Sequence, residues 1–287
     1  MKLGFMAWCF PSLDLDRVLA WAVERRFECV ILDRWPWDLA EAKDLLARYD
    51  LSVTALGTSV NILDPDPAKQ KDNVALVKKI IAHAEKLNVP TVEMFAGRNP
   101  NTRVEDNYAP FKKVMTPLVK FAADRGRRIS VENCPMMHDS WPGGTNIAYS
   151  PAIWERMFDL VPAENFGLTF DPAHCVWLGI DYLAAVRAFG DRIFGVHAKD
   201  CEILHEVLAV AGILGDHWWR YRMPGWGEVD WPAFLSALHE VGFAGDLNLE
   251  HEDVLFGFDD LPNSPEKVKQ GLLLGQKFLK PYLPDPI

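Results

Sequence analysis

Two glutamates, an aspartate and a histidine each close a short apolar run: Glu132 in ISVEN, Asp171 in GLTFDPAH, His197 in FGVHAKD and Glu250 in DLNLEHED. Carboxylate oxygens joined by one imidazole nitrogen suit Mn2+, Mg2+, Co2+ or Zn2+ better than a thiolate-seeking metal. Three carboxylates gathered in one place repel each other unless a cation or protons compensate them. If the four side chains converge, one divalent ion is the simplest compensation, with bonds of roughly 2.0–2.2 Å.

Side chains of a strand alternate between its faces. Ser130 and Glu132 then share one face, as do Thr169 and Asp171, Gly195 and His197, and Asn248 and Glu250. The apolar residues between them take the opposite face. In a barrel the helices cover the outside, so the polar set faces the lumen. Each candidate sits at the C-terminal end of its strand, where barrel enzymes place their chemistry.

The elements that must position them read as eight strands: Lys2–Trp8, Glu28–Asp33, Ser52–Gly57, Thr91–Ala96, Arg128–Asn133, Phe166–Asp171, Arg192–His197 and Asp246–Glu250. Helical patterns lie between them. One begins near Asp14, and others fit Lys69–Leu87, Asn107–Arg125, Pro151–Leu160, Tyr182–Phe189, Trp231–Val241 and Pro265–Leu279. Asp230 with Pro232, and Ser264 with Pro265, are helix starts, since the cap accepts early N–H groups and proline fits the first turn. This alternation predicts an α/β protein, a single (β/α)8 TIM barrel occupying residues 1–287 as one domain. The main irregularity runs from Cys201 to Val229 and holds HWWRYRMPGWGEVD. A loop of that length in a compact domain is usually functional.

Bulk properties narrow the partners. The formal net charge of −10 disfavours nucleic acid, whose phosphates need Lys and Arg. The five cysteines show no paired spacing, the N-terminus lacks a signal-peptide pattern, and no apolar run reaches the 18 or more residues of a membrane span. A reduced, cytoplasmic protein without membrane contact is expected. Several of the 11 tryptophans fall in loops (Trp35, Trp37, Trp141, Trp218, Trp219 and Trp226), where they either wall a small-molecule pocket or pack the rim.

These motifs carry a resemblance. VEN at Glu132, DPAH from Asp171 to His174, VHAKD from His197 to Asp200, PGWGEVDW from Pro224 to Trp231 and LEHED at Glu250 are similar, in order and spacing, to the xylose isomerase-like superfamily of TIM barrels. That group includes sugar and sugar-phosphate isomerases and epimerases, inosose isomerases and dehydratases, and endonuclease IV. The resemblance spans the whole barrel. It implies one divalent ion, Mn2+ foremost, held by Glu132, Asp171, His197 and Glu250. It also implies a small carbohydrate substrate and a metal-stabilised cis-enediolate, with Glu132 and Glu250 as catalytic acid and base. One shuttling glutamate makes an isomerase, two on opposite faces an epimerase, and loss of a β-hydroxyl a dehydratase acting on a keto-inositol or 3-keto sugar. A homo-oligomer is suggested by the same resemblance.

Two marks of the ketose 3-epimerases are absent: His138 stands where they carry a second glutamate, and Ile203 where they carry an arginine. An abasic-site nuclease of the endonuclease IV kind would add histidines from earlier strands, but Ser59, Asn61, Glu93 and Phe95 stand there. A non-catalytic barrel subunit would have an incomplete ligand set.

Around the four ligands, His174 either meets a substrate oxygen or hydrogen-bonds a ligand. Lys199 either neutralises an oxyanion or forms an ion pair, braced by Asp200. Arg222 either clamps a carboxylate, phosphate or diol, or is an exposed loop arginine. Glu93 is a lumen-side substrate contact or supports a ligand. Asp33, Trp8 and Trp226 wall the pocket. His251, Glu252 and Asp253 either orient Glu250 or form a solvated turn. His83 and His239 fall in helical patterns and read as ordinary surface or packing histidines. No phosphate-binding glycine loop is present, which favours an unphosphorylated polyol or keto sugar.

Overall fold

The computed structural model describes residues 1–33, 38–137 and 144–283. Trp35, Trp37, His138 and Trp141 lie outside the described residues. Among the described residues the strands are β1 (Leu3–Met6), β2 (Cys29–Leu32), β3 (Ser52–Gly57), β4 (Thr91–Met94), β5 (Arg128–Glu132), β6 (Phe166–Phe170), β7 (Ile193–Ala198), β8 (Asp200–Ile203), β9 (Trp219–Arg222) and β10 (Leu247–Leu249). The helices are α1 (Leu15–Glu24), α2 (Leu39–Tyr49), α3 (Pro67–Lys86), α4 (Tyr108–Ala123), α5 (Pro151–Leu160), α6 (Pro172–Trp177), α7 (Tyr182–Phe189), α8 (His205–Ala211), α9 (Trp231–Glu240) and α10 (Pro265–Leu279).

Eight strands close a barrel in the order β1, β10, β7, β6, β5, β4, β3, β2, and β8 pairs with β9 in a separate ribbon. The chain also divides into two compact units. One comprises Met1–Val53, Asp171–Asp191 and Gly195–Ile287; the other comprises Thr54–Phe170 and Arg192–Phe194.

In the second unit, alternation sorts the side chains as the sequence predicts. Thr169 donates to Glu93 Oε2 at 3.0 Å and bonds Ser130 Oγ at 2.8 Å, so polar side chains of β4, β5 and β6 share one face. Phe170 points the other way, edge-on to Trp154 of α5 at 5.9 Å. Parallel strands buried on both faces read as apolar runs, which is why each was legible.

In the first unit, β1 pairs with β10 and β2, and β10 with β7, all parallel. Helix α10 lies close over β10 because Gly275 carries no side chain: a Cβ there would come within 2.9 Å of Leu249 Cδ2. One turn earlier, a Cβ on Gly271 would lie 2.6 Å from His251 Nε2.

Most strand ends fall a residue or two short of the expected limits. Asp171 leaves the sheet to cap α6, its Oδ1 accepting from Ala173 N at 2.8 Å, with Pro172 in the first turn. Asp66 caps α3 in the same way, so that helix starts earlier than expected, at Pro67. The irregular stretch after β7 is an antiparallel hairpin, β8–β9, carrying the short helix α8. Its register sets Asp200 opposite Arg222, Cys201 opposite Tyr221, Glu202 opposite Arg220 and Ile203 opposite Trp219. None of the five cysteines is in a disulfide, and no helix among the described residues is long and apolar enough to cross a membrane.

Candidate active site

Glu132 ends β5, Asp171 follows β6, His197 lies on β7 and Glu250 follows β10. All four are buried, and one ligand atom from each lies within 4.8 Å of the others. Bonds of roughly 2.0–2.2 Å place ligands on opposite sides of one ion about 4.4 Å apart, so this spacing suits a single centre. The donor set matches the metals named from the sequence: three hard carboxylates and one imidazole. His197 Nδ1 lies 3.0 Å from Glu250 Oε2.

Lys199 is 1% exposed and takes a place different from a substrate-facing cation. Its ammonium reaches Asp171 Oδ2 at 3.0 Å, Glu250 Oε2 at 2.8 Å and Glu252 Oε2 at 2.7 Å. Hydrogen bonds to Glu250 and Glu252, the ion pair with Asp171 and a 3.4 Å contact with His174 Nε2 surround it. The Tyr221 ring lies 4.3 Å from the same nitrogen. Burial alone would lower the Lys199 pKa, but Asp171, Glu250 and Glu252 outweigh it and hold the pKa well above the ordinary lysine value.

His174 is fully buried on α6. Its Nε2 faces Asp171 Oδ2 at 3.2 Å, while Nδ1 meets the Tyr221 hydroxyl at 2.8 Å. Nε2 also lies 3.4 Å from Lys199 Nζ, so the ring is set between Tyr221 on one side and Asp171 and Lys199 on the other. The structure places His174 against Asp171, one of the four convergent residues. The partner comes from the hairpin: Tyr221 packs edge-on to His174, and Trp219 stacks on Trp177 of α6 at 4.6 Å.

Arg222 is neither exposed nor open to a ligand. It is buried, donates to Asp253 Oδ2 at 2.9 Å, and pairs with Glu202. Burial pulls its pKa down, but hydrogen bonds to Asp253 and Glu202 raise it overall. Asp253 also accepts from Met223 N and Leu255 N, so this acidic residue is built into the fold rather than solvated.

Asp200 does not brace Lys199; Glu252 does. The Asp200 carboxylate instead accepts from Cys201 N, Val229 N, Gly225 N and Trp231 Nε1 at 2.9–3.0 Å. Burial pushes its pKa up against the pull of these four donors. VHAKD and PGWGEVDW are thus two halves of one knot. A Cβ on Gly227 would come within 2.3 Å of Asp200 Oδ1, so only glycine admits that approach.

Glu93 is buried and accepts from Thr169. Trp8 is half-buried, edge-on to Phe258 at 5.9 Å. Trp226 is 48% exposed, edge-on to Phe256, with the Arg222 guanidinium 5.1 Å from its ring. Sequence reasoning missed Tyr221 altogether and missed Glu252 as the partner of Lys199. The alternation in WRYR, with Arg220 and Arg222 on one face and Tyr221 on the other, was the available signal once a hairpin partner is assumed.

Comparisons with known proteins agree with this architecture. The sequence model described as "Xylose isomerase-like TIM barrel" matches residues 11–280. The uncharacterized protein YfiH of Bacillus subtilis is 26% identical over 91% of this chain and 86% of its own. The L-ribulose 3-epimerase of Methylomonas sp. is 26% identical over 78% of this chain and 72% of its own. An inosose dehydratase of Lacticaseibacillus casei matches 45% of this chain and 43% of its own at 26% identity. Among solved structures, IOLI protein with a bound zinc atom superposes with a TM-score of 0.78 at 18% identity, covering 99% of this chain and 100% of the other. D-Allulose 3-epimerase from Methylomonas sp., solved with D-allulose, superposes with a TM-score of 0.75 at 22% identity, covering 99% and 97%.

Proposed function

The chain belongs to the xylose isomerase-like TIM barrel family, and from that premise we propose that it is a divalent-metal-dependent sugar isomerase or epimerase. The reaction is proton transfer at a carbon beside a carbonyl. The observation that carries this reading is the buried convergence of Glu132, Asp171, His197 and Glu250. These four residues would hold the ion, with Mn2+ the first choice; the zinc in the IOLI structure belongs to that protein. When bound, the ion supplies Lewis acidity to the substrate carbonyl and its neighbouring hydroxyl.

The chain's own groups do the rest. Glu132 and Glu250 take and return the proton, which makes them the catalytic pair. His197 and Lys199, both against Glu250 Oε2, fix the orientation of that carboxylate. His174, between Tyr221 and Asp171, fixes the other. Glu93, Trp8 and Trp226 are proposed to meet the substrate. Both cations that the sequence offers for an anionic group, Lys199 and Arg222, are engaged by the chain's own carboxylates. This supports an uncharged sugar rather than a sugar phosphate. Residues 1–287 are read as one barrel domain.

A second reading, a lyase on a keto-inositol or 3-keto sugar, is favoured by the inosose dehydratase among the relatives. The test is incubation of the Mn2+-loaded protein with ketoses, keto-inositols and 3-keto sugars in D2O. Deuterium at the α carbon of an isomer or epimer supports the leading reading. A dehydrated product supports the lyase. No exchange with any of these substrates, while the ion stays bound, overturns both.

A further inference from the structure

Lys199 stands out because its position answers a question that the ligand set raises by itself. Glu132, Asp171 and Glu250 converge in a buried place, and Glu252, 21% exposed at its side chain, approaches the same region through Lys199. Buried like charges of this kind drive a site apart or force protonation when no ion is bound. The ammonium of Lys199 touches two of the ligands, Asp171 and Glu250, through one oxygen each.

We propose that Lys199 is the positioning residue of the metal centre: an internal cation that keeps Asp171 and Glu250 at ligand spacing before an ion arrives. Glu252 holds that cation in place. This rests on the metal-centre reading above. The role differs from substrate binding, since Glu250, Glu252, Asp171 and His174 Nε2 surround the ammonium. It also differs from ordinary core packing, because its effect depends on whether an ion is present. In the metal-free chain Lys199 is the counter-charge that Asp171 and Glu250 touch. In the loaded chain it is a second positive charge beside a divalent ion, and so opposes the binding that it prepares for.

A sign follows that neither alternative gives. Lys199→Met should destabilise the metal-free chain more than the loaded chain, and by linkage the ion should then bind more tightly. The experiment measures the Mn2+ dissociation constant by titration calorimetry, and melting temperatures with and without Mn2+, for wild type, Lys199→Met and Lys199→Met/Glu252→Gln. Removing one partner of a buried charge cluster is strongly destabilising, so the metal-free melting temperature of Lys199→Met should fall by about 5–10 °C. Its Mn2+ affinity should rise, by tenfold for each roughly 1.4 kcal/mol by which the metal-free chain loses more stability than the loaded chain. The double variant removes one charge of each sign, so both quantities should return toward wild type.

An unchanged Mn2+ affinity in Lys199→Met, with equal losses in loaded and metal-free melting temperature, would reduce Lys199 to packing and overturn the proposal. A raised KM for sugar with unchanged metal affinity and melting temperature would make it a substrate contact, which also overturns it. If Lys199→Met fails to fold, the double variant decides: binding Mn2+ within about threefold of wild type supports the proposal, and a large loss of affinity overturns it. A wild-type chain that binds no divalent ion overturns this proposal and the metal-dependent function together.

Discussion

The Tyr221 hydroxyl lies 2.8 Å from His174 Nδ1, while the other nitrogen of the same ring faces Asp171 Oδ2 at 3.2 Å. A residue on the hairpin is thereby joined, through a helix residue, to one of the four convergent side chains. Tyr221→Phe removes the phenol and keeps the ring that packs on His174. A neutral hydrogen bond contributes about 1 kcal/mol, about fivefold in rate. The expected outcome is a fall in kcat of about that size with KM little changed, read by steady-state kinetics. An unchanged kcat would detach the hairpin from the chemistry.

Asp171 has two jobs that substitution can separate. One oxygen caps α6, and the other faces the metal-site side. Asparagine caps a helix about as well as aspartate, whereas alanine costs about 1 kcal/mol. Asp171→Asn and Asp171→Ala should therefore both lose Mn2+ affinity by more than the roughly 10–100-fold caused by altering a ligand's partner. Only Asp171→Ala should show the further loss of stability in the metal-free state, measured by urea unfolding.

Arg222→Met should be costly for folding. It strands Asp253, which is fully buried and keeps only the backbone donors of Met223 and Leu255. Removing one partner of a buried pair costs about 3–5 kcal/mol. A shift in the urea midpoint equivalent to less than 1 kcal/mol would show that water reaches Asp253 and relieves it.

His251 gives the protein an acid sensitivity. Burial lowers its pKa from 6.5 to about 4, so the folded chain keeps it neutral while the unfolded chain takes up a proton. The unfolded state binds more protons between those two values, so stability rises with pH across that window. It is fully present above 6.5 and is lost as pH falls toward 4, with a span of about 3 kcal/mol. His251→Leu should flatten the dependence of the urea midpoint on pH over this range in the metal-free protein, where ligand protonation does not displace an ion.

The barrel was legible because its strands are buried apolar runs, and the convergent set was legible because alternation places Ser130, Glu132 and Thr169 on one face. Helices with a capping residue or an early proline, such as α5 and α10, show their limits in the sequence. α6 is too short to display a helical period, although DPAH is a cap followed by a first-turn proline. The hairpin escaped notice because its strands are four residues each and its charge pairing, Glu202 with Arg220 and Arg222, spans some 20 positions. Lys199 and Arg222 were identified as important residues, but their partners were not. A sequence shows that a cation exists near a rim; only the folded chain shows which carboxylates reach it first.

The knot at Asp200 has a consequence for how this chain can change over time. One carboxylate fastens Cys201 on the outgoing side and Gly225, Val229 and Trp231 on the returning side. The ribbon is then zipped as far as Leu204, whose N–H meets Trp218 O at 2.8 Å. Beyond that rung His205 Nε2 meets Glu228 Oε1 at 3.0 Å, and the rest, including α8 with its exposed Val210 and the neighbouring Ile213 and Leu214, is cantilevered from a closed base. Loop-closure entropy grows only slowly with length. Insertions, deletions or a grafted segment between 205 and 217 therefore leave Tyr221 and Arg222 where they are. The tip is free to diversify while the chemistry beneath it is held constant.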